Sequence, residues 1–141
     1  MTSSLHPSGF TKAQIDELLR LASQTAEHAY APYSHFRVGA ALLLTSGEIV
    51  CGCNVENASY RLTCCAEQTA IVSAVSQYGP QIKLRAVAIA NLNQAASSPC
   101  GACRQTILEF ATPDTWIFFP NADGTVAHSS IREILPFAFQ L

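Results

Sequence analysis

The chain has 141 residues, 49% of them hydrophobic and only 13% charged, which suits one compact core and excludes a long disordered tail. Eight Lys and Arg against ten Asp and Glu leave a net charge of −2, and the scattered cations exclude the basic footprint of a nucleic-acid binder. No apolar run reaches the ~20 residues of a membrane span, and the N-terminal residues lack the apolar stretch of a secretion signal, so a cytoplasmic protein with a small neutral ligand is expected.

In chain order, residues 11–30 predict an amphipathic helix with Ile15, Leu18, Leu19, Ala22, Ala26, Ala29 and Tyr30 on one stripe, and Thr11 with Gln14 as a capping box. Pro32 ends it. Residues 36–44 and 48–55 read as a strand pair around Thr45-Ser46-Gly47. Helical character returns over 65–75, a buried strand is expected over 83–91, and a helix over 101–111. Residues 116–119 and 125–127 predict two further strands, and 130–135 a short last helix. The order α-β-β-α-β-α-β-β-α predicts a single domain over residues 1–141, with helices covering a mixed sheet.

Six cysteines, Cys51, Cys53, Cys64, Cys65, Cys100 and Cys103, in a reducing compartment point to metal binding or buried thiols rather than disulfides. Cys65-Ala66-Glu67 followed by Pro99-Cys100-Gly101-Ala102-Cys103 is the informative arrangement. Three thiolates leave the fourth tetrahedral position of Zn²⁺ open, and zinc brings the pKa of water from about 15.7 towards about 7. Glu67, two residues after a ligand, is the candidate proton shuttle. Both halves of the motif open predicted helices, whose positive ends offset part of the thiolate charge. The Cys-x-Glu spacing selects Cys65 over Cys64, and Cys51, Cys53 and Cys64 read as small buried residues. A CxxC pair alone would equally fit a redox motif or a structural zinc knuckle. The carboxylate beside three ligands is what argues against a non-catalytic zinc-binding domain.

With Asn54-Val55-Glu56-Asn57-Ala58-Ser59-Tyr60 and Tyr33-Ser34-His35-Phe36-Arg37-Val38-Gly39-Ala40-Ala41, the chain closely resembles the small homotetrameric zinc-dependent cytidine deaminases over roughly residues 11–139. The resemblance implies a three-layer α/β/α sandwich with a mixed five-stranded sheet and one zinc ion per subunit. The implied activity is deamination of cytidine and deoxycytidine in pyrimidine salvage. It implies ribose contacts from Asn54 and Glu56, a pocket wall from Phe36, and an Ala66 N–H on the base carbonyl. Tyr60 and Phe139 would reach a neighbouring subunit's site, Phe139 aligning better than Phe137. On packing alone, Phe36 and Phe139 read as core aromatics. The related blasticidin S deaminases are the alternative, against which the Asn54 to Tyr60 segment argues. A nucleic-acid-binding module is disfavoured by the charge balance.

One departure from the family stands beside the zinc ligands. Relatives whose first ligand is Cys usually carry Arg after the catalytic Glu, whereas this chain has Gln68. The expected consequences are a more electron-rich zinc, a weaker Lewis acid and an acidic limb of activity moved upward. Gln68 is read as a donor to thiolate sulfur, and Arg104 as an alternative source of positive charge.

Overall fold

The computed structural model describes residue 7 and residues 9–141, so most of the N-terminal stretch searched for a secretion signal lies outside it. Helix α1 (Lys12–Ala26) starts on the expected capping box, with the Gln14 N–H donating to Thr11 Oγ1 and the Thr11 N–H to Gln14 Oε1. It ends four residues earlier than its apolar stripe predicts. The reason lies elsewhere in the chain: the Tyr30 N–H donates to Asn54 O and the Glu56 N–H to Tyr30 O, drawing Tyr30 into a parallel bridge with Val55.

Strands β1 (Val38–Leu44) and β2 (Ile49–Cys53) form the expected hairpin, with Gly47 at φ 104° supplying the left-handed turn position. After a 3₁₀ turn at Tyr60–Leu62 come α2 (Ala66–Tyr78), β3 (Leu84–Asn91) and α3 (Gly101–Phe110). Strand β4 (Ala111–Pro120) begins five residues before the predicted strand. Its register against β3 slips between Leu84 and Ala86, and Thr115 in that irregular stretch is fully buried, donating from Oγ1 to Leu84 O at 2.6 Å. Strand β5 (Val126–Ser130) and the four-residue α4 (Ile131–Ile134) complete the chain.

The strands lie in the order β2-β1-β3-β4-β5, with β3–β4 parallel and the other neighbours antiparallel. This is the mixed five-stranded sheet expected from the sequence. Alternation along β1 separates two cores. Ala40, Leu42 and Leu44 join Ala70, Ile71 and Ala74 of α2, Ile107 of α3 and Ile131 of α4 on one face. Ala41 joins Ile15, Leu18 and Ala22 of α1 with Phe118 on the other. The period-2 pattern thus makes three layers, α1, sheet, and α2-α3-α4. Because β1 runs antiparallel to both neighbours, its start lies beside the ends of β2 and β3, where α2 and α3 also begin.

Candidate metal centre and active site

Cys65 is the N-cap of α2 and Cys100 the N-cap of α3, each with extended backbone, and Cys103 lies one turn into α3. Their three sulfurs fall within 4.8 Å of one another, with Cys65 Sγ and Cys100 Sγ 4.0 Å apart. Tetrahedral zinc with bonds of about 2.3 Å holds its sulfurs about 3.8 Å apart, so these residues fit that ion. Two helix N-termini meet here, and their positive ends stabilise accumulated thiolate charge. Hydrogen bonding from Cys103 pulls the Cys65 thiol down to about 7. Cys103 is pushed up by that same hydrogen bond, by burial and by the nearby Glu67 carboxylate.

Glu67 lies in the first turn of α2 and is only 4% exposed. Burial raises its pKa, opposed by its backbone N–H and by the Cys103 thiol. A carboxyl shifted upward in this way retains a proton more readily, as a group that must accept and return one requires.

A cavity of about 190 Å³ opens over these groups, lined by Phe36, Val38, Asn54, Thr63, Cys65, Ala66, Glu67, Ile89, Ser97, Ser98 and Cys100. Phe36 is half-buried in this wall rather than a core aromatic. The buried Asn54 side chain clips the start of β1 to the end of β2: its Oδ1 accepts from the Val38 N–H and its Nδ2 donates to Phe36 O, both at 2.8 Å. An amide has two N–H groups and two lone pairs, so capacity for a ligand remains on each end.

Thr63 also borders a second hollow of about 340 Å³ formed with Tyr33, Ser34, Glu56 and Tyr60. Glu56 Oε1 accepts from the N–H groups of Tyr33 and Ser34 at 2.9 and 3.1 Å, and Oε2 accepts from Ser34 Oγ. Ser34 holds the Glu56 carboxyl below its ordinary value, and the same hydroxyl accepts from the Phe36 N–H at 3.0 Å. Tyr60 is 76% exposed, its ring edge-on to Tyr33.

Gln68 closes the cap of α2: its Oε1 accepts from the Cys65 N–H at 3.4 Å, and its backbone N–H donates to the Cys65 side chain. Two expectations need correction. Cys64 is exposed, not buried, because its backbone pairs with Val55 and carries the side chain outward, where Sγ meets Leu62 O at 3.8 Å. Phe139 is exposed rather than a core aromatic, and its carbonyl accepts from Gln105 Nε2 at 3.0 Å.

Arg104 donates from Nε to Pro99 O and from Nη1 to Ile134 O, both at 2.8 Å, tying the loop before Cys100 to the end of α4. Sequence reasoning missed Val38, Thr63, Ile89, Ser97 and Ser98 in the cavity and Ser34 behind Glu56. Only Ser34 leaves a local trace, a serine two residues before Phe36, whose N–H it can accept.

A mixed sheet that delivers two helix N-termini to one three-thiol centre, with a buried carboxylate in the same turn, places the protein among zinc-dependent hydrolytic deaminases. A cytidine deaminase of Halalkalibacterium halodurans is 43% identical over 122 residues, 86% of this chain and 91% of that protein. The chain belongs to the family described as the cytidine and deoxycytidylate deaminase zinc-binding region, whose model matches residues 12–119. Among solved structures, cytidine deaminase from Burkholderia pseudomallei superposes with a TM-score of 0.81 at 42% identity, covering 92% of this chain and all of that one. The Mycobacterium tuberculosis enzyme gives 0.78 at 39%, covering 89% and 97%.

Proposed function

We propose that this chain deaminates cytidine and deoxycytidine hydrolytically, giving uridine or deoxyuridine and ammonia, as one catalytic domain over residues 1–141 serving pyrimidine salvage in the cytoplasm. The observation that carries the reading is Glu67, a buried carboxylate in the same helical turn as Cys65, beside the converging thiols and lining a hollow of about 190 Å³. Cys65, Cys100 and Cys103 hold the zinc. When bound, the ion supplies a Lewis acid that makes hydroxide accessible near neutral pH.

Glu67 takes a proton from the attacking water and passes it to the ring nitrogen as C4 becomes tetrahedral. It delivers the second proton to the departing amine, so that ammonia leaves. Ala66 is the first residue of α2, and its N–H has no partner within the helix, which suits it to the carbonyl of the base. Phe36 covers the ring. Asn54 and Glu56, held rigid by Phe36, Val38 and Ser34, are left to read the ribose hydroxyls. A site built to pair hydroxyls rejects ligands lacking them more strongly than an apolar wall does.

We further infer a homotetramer with shared sites, in which Tyr60 and Phe139 serve a neighbouring copy. Their exposures of 76% and 70%, and a mean hydropathy of +0.20, support this reading. Ultraviolet monitoring of cytidine conversion, with zinc stoichiometry and a panel including blasticidin S, tests the activity. One zinc per chain with cytidine turnover is expected; no turnover by the zinc-loaded protein would overturn it. Sedimentation of an active monomer would refute the shared sites.

A further inference from the structure

Two glycines lie on opposite faces of the β1–β2 hairpin, and each is pressed against a helix backbone. Gly39 is paired with Cys53 and Gly52 with Ala40, so they are diagonal neighbours across the same ladder. A Cβ on Gly52 would lie 2.8 Å from Ala70 Cα and 2.9 Å from Ala66 O, and closer still to Ala70 N. Those atoms bracket one i to i+4 step of α2, the step that encloses Glu67. Ala66, Ala70 and Ala74, almost wholly buried, form the ridge by which α2 approaches the sheet. On the other face, a Cβ on Gly39 would lie 2.8 Å from Ala26 N and 2.9 Å from Ala22 C in α1.

We propose that Gly52 is a positioning residue for the deaminase site: its missing side chain sets how deeply the first turns of α2 sit against β2. With that depth it sets where Cys65 and Glu67 stand relative to Cys100 and Cys103. The atoms it meets are backbone, so no rotamer change relieves the contact. Ordinary contact begins at 3.4 Å, so adding one methyl makes α2 withdraw or β2 bend away. Either movement reaches the site, because Cys65 caps α2 and Asn54 directly follows β2. Catalytic groups tolerate only about 0.5 Å of displacement, and about 1 Å costs on the order of 100-fold in rate. Gly47 is the control: it turns the far end of the same hairpin at φ 104°, where an added Cβ strains the backbone but meets nothing within 4 Å.

The proposal rests on the zinc-deaminase reading, and the experiment separates the two. Gly52→Ala and Gly47→Ala are compared with wild type for melting temperature, for kcat and KM on cytidine, and for the visible and thiolate charge-transfer absorption of the Co²⁺-substituted protein. Both variants are expected to melt lower. Gly52→Ala should lose on the order of 100-fold in kcat, with KM moving much less and the Co²⁺ bands shifted. Gly47→Ala should keep wild-type bands and kcat.

Wild-type bands and kcat in Gly52→Ala would overturn the proposal, as would an equal loss in Gly47→Ala. Should Gly52→Ala fail to fold, Ala70→Ser, which thickens the same contact from the helix side by one atom, must shift the Co²⁺ bands; unshifted bands would overturn it. A wild-type protein showing no three-thiolate Co²⁺ spectrum would instead remove the zinc reading itself.

Discussion

The Cys65 N–H donates to the Gln68 side-chain carbonyl at 3.4 Å, so the residue standing where Cys-ligated relatives usually carry Arg closes the N-terminus of α2. Arg has donors only and cannot make this bond. Gln68→Arg therefore exchanges a cap for a cation beside three thiolates. The lost cap costs about 1 kcal/mol, lowering Tm by roughly 3–5 °C. The added charge makes the centre a stronger Lewis acid, so the acidic limb of kcat/KM moves to lower pH. Thermal melts and pH–rate profiles of both proteins check this, and superimposable profiles would refute the charge argument.

Glu67 is buried beside the thiols without belonging to the three-sulfur cluster. Glu67→Ala is expected to retain one zinc per chain and to lose about 10²–10⁴-fold or more in kcat. Metal analysis on the same sample used for kinetics makes the comparison. Near wild-type turnover would remove the proton-shuttle role.

Ser34 holds the Glu56 carboxyl below its ordinary value of 4.5. A carboxyl with a lowered folded-state pKa contributes stability that is complete above the unfolded value and disappears as pH falls through the folded one. Ser34→Ala should therefore melt below wild type at neutral pH, with the difference narrowing as the pH drops beneath 4.5. Melts taken across pH 3–7 test it. A pH-independent gap would mean that only the bond to the Phe36 N–H matters.

Arg104 bridges Pro99 O and Ile134 O, bracing the loop that presents Cys100. Arg104→Ala should weaken zinc retention by about 10–100-fold, the usual cost of removing a group that orients a ligand. Lys should not restore it, because an ammonium on a flexible stem lacks the guanidinium's fixed fork. Chelator competition measures the zinc release rate, and an unchanged rate would limit Arg104 to packing the end of α4.

Much of the site was legible because its chemistry is local in the chain. Cys65 and Glu67 share one turn, Cys100 and Cys103 another, and the Cys-x-Glu spacing distinguished Cys65 from the adjacent Cys64, which the structure leaves outside the sulfur cluster. Element order likewise pointed to helices covering a mixed sheet, while the three layers were implied by the family resemblance; in the structure, alternation in β1 sorts side chains to the two cores.

What the sequence could not supply depends on pairing between distant segments. The end of α1 is decided by the Tyr30 bonds to Asn54 and Glu56, and the bracing of Glu56 by a turn 22 residues upstream. By itself the sequence determined which residues could bind zinc and move a proton. Only the tertiary structure decided that thiols 35 residues apart stand 4.0 Å from each other, because strand register and the depth of α2 over Gly52 bring two helix ends to one point.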